Sequence, residues 1–339
     1  MKIPAIALVF AVCVVAQQQQ QPQVENAKLE TRAFARSLAG QLSTLSSSGN
    51  GPFWVAWQEP VIPGRHGDMC WSNANGSNEH ATGAPVRLEG QTTVLVLVRM
   101  ENAQVDQLRV ASFDCRFDGG GLPFYWLSGV PVAESATWLK SQISGRHSEE
   151  AILAVSLHAG PEAERTLDDL VSTSQPERIR ERAAFWLGTS RGAHGVDVLK
   201  RMLANDPSQK VREQVVFALS QSKEPSGLAA VIDTAKNDKN GQVRSRALFW
   251  LAQKAADKQA ANKQALDTIT NAVTNDPDRA VKEQAVFALK QLPEDQGIPM
   301  LIHVAKNNPD PEVRKKAMFW LGQSQDQRAL DFFAQVLKP

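Results

Sequence analysis

The chain has 339 residues, of which 42% are hydrophobic and 22% are charged. It is therefore long enough and apolar enough to bury a substantial core, in two domains or in one domain with a repeat array. The formal net charge of +1 gives no overall attraction to nucleic acid, an anionic membrane or an acidic substrate. We accordingly expect no nucleic-acid partner.

The amino terminus has the pattern of a secretory signal peptide. Lys2 supplies a minimal basic region, Ile3 to Val15 is apolar, and Val14-Val15-Ala16 provides small residues for cleavage. The apolar run is too short for a membrane span, which needs about 20 residues. We expect residues 1–16 to be removed and residues 17–24 to form a Gln-rich linker. The mature chain is then periplasmic or extracellular and is not inserted in a membrane.

Export changes the meaning of the three cysteines. Signal cleavage removes Cys13 and leaves Cys70 and Cys115 as an even pair in an oxidising compartment, which predicts one disulfide. The alternatives are two free thiols, a redox couple or metal ligands. The disulfide is favoured because the sequence has no C-x-x-C spacing and no neighbouring histidine cluster.

Residues 25–146 are predicted to form a small α+β domain. Glu25 to Leu45 has apolar residues at helical intervals, which predicts one amphipathic helix. A short helix around Ser135 to Ile143 is expected to close the domain. Three segments with a shorter period predict strands: Phe53 to Trp57, Thr92 to Met100 and Leu108 to Phe117.

Aromatic residues are concentrated in this domain. We interpret them as the core of a small domain, and the alternative is an aromatic platform for a glycan or peptide. They are Trp54, Trp57, Trp71, Tyr125, Trp126 and Trp138.

One stretch of the domain contains residue types common in catalysis. Arg65-His66-Gly67-Asp68 and Glu79-His80 have no nucleophile elbow, no H-E-x-x-H motif and no triad spacing around them. We interpret the stretch as a solvated loop. The sequence therefore predicts no catalytic, cofactor-binding or metal site.

Internal repetition is the strongest signal in the chain. Five nine-residue segments align without gaps, starting at residues 179, 211, 243, 281 and 313, so the starts are 32, 32, 38 and 32 residues apart. The segments are Ile179 to Leu187, Val211 to Leu219, Val243 to Leu251, Val281 to Leu289 and Val313 to Leu321. Between them recur helices of another type, each of which runs into a turn such as Asn205-Asp206-Pro207. These are the first-type helices of the units, and the aligned segments lie on the second-type helices. Each unit is therefore helix, turn, helix.

This pattern resembles the HEAT repeat, in the variant called the phycobilisome-lyase-like HEAT repeat, over about residues 148–339. The resemblance implies an α-solenoid, in which stacked hairpins bury each other's apolar faces and leave a curved surface used mainly for binding. A degenerate earlier unit is expected at Glu150 to Leu157, and Ala329 to Leu337 supplies a last first-type helix. The third unit has six extra residues within Lys254 to Lys263.

A basic residue holds the second place of every aligned segment. In HEAT repeats this place more usually pairs with acids of the turns, which forms a ladder between repeats, and the alternative is a phosphate-binding stripe. The ladder is favoured because carboxylates stand close by in sequence. The basic residues are Arg180, Arg212, Arg244, Lys282 and Arg314, and the acids are Asp206, Asp238, Asp276 and Asp310.

Phenylalanine holds the seventh place of all five segments. At 100° per residue the first, fifth, eighth and ninth places form the buried face, and the seventh lies nearly opposite. The phenylalanines therefore predict either an apolar stripe on the inner surface, as a candidate partner site, or packing between neighbouring second helices. They are Phe185, Phe217, Phe249, Phe287 and Phe319.

The eighth place alternates between large and small residues, which predicts interdigitation between successive repeats with a two-repeat rhythm. If Trp250 is a core residue, its replacement by alanine costs about 3 to 5 kcal/mol. The residues are Trp186, Ala218, Trp250, Ala288 and Trp320.

The function expected from the resemblance is an exported, non-enzymatic scaffold that binds a protein or peptide on the inner surface of the solenoid. Some HEAT-repeat enzymes hold iron through His-Glu pairs, but none of the six histidines here is followed by glutamate. The alternatives are an enzyme or metal-dependent activity in the amino-terminal domain, and a structural or sensor component of the cell envelope. The sequence does not determine the oligomeric state.

Overall fold

The computed structural model of the chain describes residues 21–49, 51–62, 70, 92–256 and 263–337. The predicted signal peptide, the first half of the linker, Trp71 and the histidine-containing segments at 65–68 and 79–80 lie outside the described residues. The chain divides into two compact units. The first comprises Met1–Gln58 and Gly67–Pro131, and the second comprises Glu59–His66 and Val132–Pro339.

The first unit is built on a mixed sheet. A five-stranded sheet has the order β2-β7-β3-β4-β5, with β2 and β3 parallel to β7 and β4 antiparallel to β5, and β1 pairs with β6 in a separate parallel ribbon. The elements are β1 Gln23–Glu25, β2 Lys28–Ala33, α1 Leu38–Ser48, β3 Phe53–Pro60, β4 Thr93–Glu101, β5 Gln104–Ser112, β6 Arg116–Asp118 and β7 Pro123–Ser128.

The core of this unit lies on both faces of the sheet. Strand β4 is buried almost continuously from Val94 to Val98, as expected for a strand covered on two sides. Helix α1 contacts β4 and buries Leu38, Leu42 and Leu45. A second cluster includes Phe124, Trp126, Phe113 and Cys115, with Leu95 and Leu97 of β4.

The predicted helix from Glu25 to Leu45 is wrong over its first part. Residues 28–33 form β2, which pairs in parallel with β7, from Lys28 opposite Pro123 to Ala33 opposite Ser128. A partner strand so distant in sequence overrides the local helical spacing. The helix begins only at Leu38, where the Ser37 side chain accepts a hydrogen bond from the backbone N–H of Gly40.

The second unit is an α-solenoid, as the repeat pattern predicts. Second-type helices stack side by side in the order α3, α5, α7, α9, α11 and α13, so each buries the apolar side of its neighbour. The helices are α2 Val132–Gln142, α3 Ser148–Leu157, α4 Pro161–Leu170, α5 Glu177–Ser190, α6 Gly192–Asn205, α7 Gln209–Gln221, α8 Pro225–Asn237, α9 Gly241–Ala256, α10 Lys263–Asn275, α11 Arg279–Lys290, α12 Glu294–Asn307, α13 Pro311–Gly322 and α14 Gln327–Val336.

The boundary between the units lies earlier than the predicted break between residues 146 and 148. Helix α2, expected to close the amino-terminal domain, belongs to the solenoid unit. It packs on α3 and α4 and buries Ala136, Trp138 and Leu139. Its apolar side therefore packs against α3 and α4, the next helices of the solenoid unit. The predicted linker also ends early, because Gln23 and Val24 lie in β1.

Candidate partner-binding surface

Three of the basic residues at the second place form buried ion pairs between successive repeats. Arg180 donates from Nε and Nη2 to the carboxylate of Asp206, at 2.8 and 3.1 Å. Arg244 contacts Asp276 in the same bidentate manner at 2.8 Å for both bonds, and the bonds to Asp276 raise the pKa of Arg244. These guanidinium groups are held by carboxylates and are therefore not free to bind phosphate.

In the third pair, the arginine also donates a hydrogen bond to a backbone carbonyl group. The Nε of Arg212 lies 3.3 Å from Asp238, and its Nη1 donates to the carbonyl oxygen of Asp206 at 2.9 Å. Each arginine of this kind therefore ties its helix to the turn before it and to the turn of the next repeat. Buried charges are tolerated when they are paired and hydrogen-bonded in this way.

The ladder predicted for Lys282 and Arg314 with Asp310 is not formed. Asp310 accepts instead from Arg279 at 3.2 Å, and Arg314 donates to the carbonyl oxygen of Asn308 at 2.8 Å. The reason lies in the turn. Asn308 stands 32 residues after Asp276, so the last turn has an amide where the earlier turns have a carboxylate.

Asp310 has a different role from the other predicted acids. Its side chain accepts from the backbone N–H of Glu312 at 2.9 Å and so caps the first turn of α13. That bond is the main cause of the lowered pKa of Asp310.

The five phenylalanines lie on the side of the second helices opposite the ladder, and all are partly exposed. Phe319 is the most open, at 53% exposure. Phe185 stacks on Phe217 with ring centroids 5.9 Å apart. Together with three tryptophans they form what we call the aromatic row, which consists of Phe185, Trp186, Phe217, Phe249, Trp250, Phe287, Phe319 and Trp320.

The tryptophans of the eighth place were expected to interdigitate between successive repeats as core residues; Trp250 and Trp320 do contact the preceding repeat, but full burial in the core is not observed. Ala218 and Ala288 are fully buried at that place, but the tryptophans are only partly buried. Trp250 lies over Phe217 of the preceding repeat at 4.6 Å, and Trp320 lies over Phe287 at 5.2 Å. The two-repeat rhythm therefore appears in partly exposed positions, where Trp250 and Trp320 each cover the phenylalanine of the repeat before.

Charged side chains beside the aromatic row are paired across neighbouring second helices. Lys210 lies 3.0 Å from Glu181, and Arg246 lies 3.6 Å from Glu213. Lys316 similarly lies 3.8 Å from the carboxylate of Glu283. These pairs leave the border of the row close to neutral.

The predicted disulfide between Cys70 and Cys115 is formed, with an S–S distance of 2.02 Å. Their sulfur atoms lie near the carboxylate of Asp114, but a disulfide offers no thiolate to a metal ion. The two cysteines therefore do not act as free thiols in this structure.

The aromatic residues of the first unit divide into two groups. Trp57 and Trp126 are buried, in agreement with a core role. Trp54 and Tyr125 are partly exposed, and arginine side chains lie over their rings, Arg32 over Tyr125 at 4.8 Å and Arg109 over Trp54 at 5.9 Å. The rings that an aromatic platform would use are thus covered from within the chain. Trp138 belongs to the solenoid unit.

A buried polar cluster in the solenoid unit escaped the sequence analysis. His158 contacts the carbonyl oxygen of Val132 through Nε2 at 3.0 Å and lies 4.0 Å from the carboxylate of Glu59, to which Ser135 also donates. Burial lowers the pKa of His158. Glu59, Ser135 and His158 are at most 1% exposed, so no substrate reaches them. Residues so far apart in sequence give no local signal.

Comparison with known proteins places the repeats in one family. The family of HEAT repeats matches residues 164–252 and 266–339. No curated protein matches the chain in sequence. Among the helices in the described part of the chain, none is both long and apolar enough to cross a membrane.

Several solved structures match part of the chain at low identity. The YIBA protein of Escherichia coli is 20% identical over 57% of this chain and 69% of its own, with a TM-score of 0.37. The complex of CpcE and CpcF of phycocyanin lyase from Nostoc sp. PCC7120 is 22% identical over 51% of this chain and 99% of its own, with a TM-score of 0.36. A designed armadillo repeat protein in complex with the peptide (KR)4 is 15% identical over 60% and 100%, with a TM-score of 0.33. At these values the similarities give no information about a partner.

Proposed function

Because residues 164–252 and 266–339 of this chain are HEAT repeats, we propose that the protein is an exported, non-enzymatic scaffold that binds a protein or peptide on the aromatic row. The observation that carries the proposal is the row itself. The same aromatic residue recurs at one helix place in five repeats, yet it remains partly exposed in each.

Energetics favour a binding role for this surface. Apolar side chains left in water forgo roughly 25 cal/mol per Å² of burial, and exposed apolar patches mark interaction sites. Phe319, at 53% exposure, would therefore gain the most free energy from burial against a partner. Tryptophan is also enriched among residues that dominate binding energy at interfaces.

The surrounding charges argue for a protein or peptide over nucleic acid. Phosphate binding needs unpaired cations, whereas Arg180, Arg212 and Arg244 are buried against carboxylates. Lys210 and Arg246 at the edge of the row are paired as well. Because the charges beside the row are paired, the row is compatible with an uncharged polypeptide surface.

Crosslinking in the native host followed by identification of the captured proteins tests the proposal. The parent protein is compared with a variant carrying Phe217→Ser and Phe249→Ser. A matched control carries Phe333→Ser, which changes a partly exposed phenylalanine of α14 outside the row. We expect the double variant alone to lose a specific partner. Equal capture by a folded double variant would remove the row from consideration.

Export rests on the amino-terminal pattern and needs a separate measurement. We expect the mature protein, recovered from the periplasm or the medium, to begin at Gln17 and to contain the Cys70–Cys115 disulfide. Recovery of an uncleaved chain from the cytoplasm would show that the localisation is wrong while leaving the binding surface intact.

A further inference from the structure

A pocket of ≈ 300 Å³ opens beside the aromatic row in the last complete repeat. Its apolar lining comes from Leu292, Ile298 and Leu301, which are each at most 5% exposed, and from the indole of Trp320. Polar residues also line it: Lys290, Glu294, Gln323, Ser324 and Gln325. The surface of the pocket is therefore mixed, with a polar part at least as large as its apolar part, and it can contact both the apolar and the polar groups of a ligand.

The pocket coincides with a difference in length between two helices of the same type. Helix α9 has 16 residues and α13 has 12. The extra turn of α9 includes Ala255, which is 2% exposed. The equivalent position of the last repeat, 70 residues later as Val313 is from Val243, is Gln325, which lies after the end of α13 and lines the pocket.

A line of side-chain amides follows the aromatic row. One helical turn after each phenylalanine from α7 onward stands a glutamine, and residues four apart are neighbours on a helix surface. We call Gln221, Gln253, Gln291 and Gln323 the amide row. Within the described residues, the side chains of the last three make no hydrogen bond. Each offers one donor group and one acceptor, as a peptide group does.

We propose that the occupant of the aromatic row is an extended polypeptide segment. Its backbone bonds to the amide row, and one large apolar side chain enters the pocket beside Trp320. This inference rests on the proposed function and specifies its partner. A volume near the lower limit for small-molecule sites suits a single side chain such as leucine or phenylalanine.

The amide row favours an extended segment over a helix. A helical partner has already satisfied its backbone groups internally, so it would leave the glutamines without backbone partners. Neighbouring helices pack about 8–10 Å apart, and an extended chain advances about 3.3 Å per residue. A segment that crosses the second helices therefore passes one glutamine about every three residues. The paired charges beside the row select neither an acidic nor a basic segment.

Selection of random dodecapeptides displayed on phage, with the whole mature protein as target, tests this inference. We expect the enriched peptides to share one large apolar residue. A synthetic peptide from the selection is then titrated against the parent and against Gln325→Trp, which places a bulky ring at the pocket. The matched control is Gln335→Trp, on an exposed position of α14 that does not line the pocket.

We expect Gln325→Trp to weaken binding about tenfold or more, since burial of one large apolar side chain is lost, and Gln335→Trp to leave it unchanged. Replacing the apolar residue of the peptide by serine should weaken binding to the parent equally. That replacement should add little with the Gln325 variant, because both changes remove the same contact.

The outcomes separate the inference from the proposed function. If the peptide binds the Gln325 variant as it binds the parent but is lost on Phe217→Ser and Phe249→Ser, the pocket takes no part and the row still binds. If no peptide is enriched while the row captures a protein in the host, the occupant is a folded surface. Either result overturns the inference, and loss of both peptide and protein capture overturns the proposed function as well.

Discussion

The two sides of the second-type helices reverse the usual distribution of charge and apolarity. On one side Arg180, Arg212 and Arg244 are at most 7% exposed, held by carboxylates of the next repeat. On the other side phenylalanine and tryptophan remain partly open to solvent. The charged side chains are paired within the chain, whereas the aromatic side chains contact one another but stay partly open to solvent. Whether a side chain is buried here therefore depends more on the partners that the chain supplies for it than on whether it is charged or apolar.

The difference assigns distinct tasks to the two sides. A buried, bidentate ion pair is costly to break because the remaining charge has no solvent. Such pairs therefore fix the position of each repeat on the next. A partly exposed ring contributes less to folding than a buried one and leaves apolar area that a partner would cover under our proposal. Substitutions on the two sides should consequently separate stability from binding.

The largest effect on stability is expected from Asp276→Ala. It leaves the buried guanidinium of Arg244 without its carboxylate, which costs about 3–5 kcal/mol. Urea unfolding followed by circular dichroism measures the loss. Arg279→Ala is the control, because that arginine is 63% exposed in its pair with Asp310 and should contribute less than about 1 kcal/mol. Equal losses would contradict a distinct role for the buried pair.

Close packing between second helices is tested next by Gly188→Ala. A Cβ at Gly188 would lie 2.7 Å from the carbonyl carbon of Ala218, so α5 and α7 would have to separate. We expect a loss of about 2 kcal/mol. Gly322 holds the same place in α13, where the nearest atom, of Phe333, is 3.9 Å away. Gly322→Ala should be neutral or slightly stabilising, and thermal melts of both variants distinguish the two sites.

Trp250→Ala tests the other side of the helices. Because the ring is only partly buried, we expect a loss of about 1.5 kcal/mol, less than the 3–5 kcal/mol typical of a core tryptophan. Denaturant unfolding measures it, with Trp250→Phe as the conservative control. A loss in the full core range would show that the row belongs to the interior after all.

The smallest effect is the pH dependence that arises from His158. Burial lowers its pKa in the folded protein, so the unfolded chain binds the proton more readily. This contribution to stability is fully present above the usual histidine pKa of about 6.5 and is lost as the pH falls through the folded value. We expect His158→Gln to reduce the slope of stability below pH about 6.5 by at most ~1.4 kcal/mol per pH unit. The control His303→Gln, at an exposed position, should retain the parent slope.

Much of the solenoid could be predicted from the sequence. Segments such as Val211 to Leu219 and Val243 to Leu251 repeat the same pattern, so local period and burial agree. The ladder was predictable for Arg180, Arg212 and Arg244 because its acids stand close by in sequence, each just before the next aligned segment. The ladder prediction was wrong at Asp310. The carboxylate of the last turn lies two residues later than in the earlier turns, and counting nearby acids does not detect that difference.

The remaining features depend on contacts distant in sequence. Strand β2 forms because it pairs with β7. The hydrophobic pattern of residues 28–33 alone does not predict that pairing. Trp250 is only partly buried and packs on Phe217 of the previous repeat. A helical wheel of a single helix does not include that contact. The pocket beside Trp320 likewise depends on where α13 ends relative to its neighbours.

We propose that one side of these helices stabilises the fold and the opposite side binds a partner. The most direct test measures unfolding free energy and partner capture together for Asp276→Ala and for the variant with Phe217→Ser and Phe249→Ser. We expect Asp276→Ala, assayed at a temperature where it is folded, to retain capture despite its larger loss of stability, and the phenylalanine variant to remain the more stable and capture nothing. Loss of capture in proportion to loss of stability across both variants would contradict the claim.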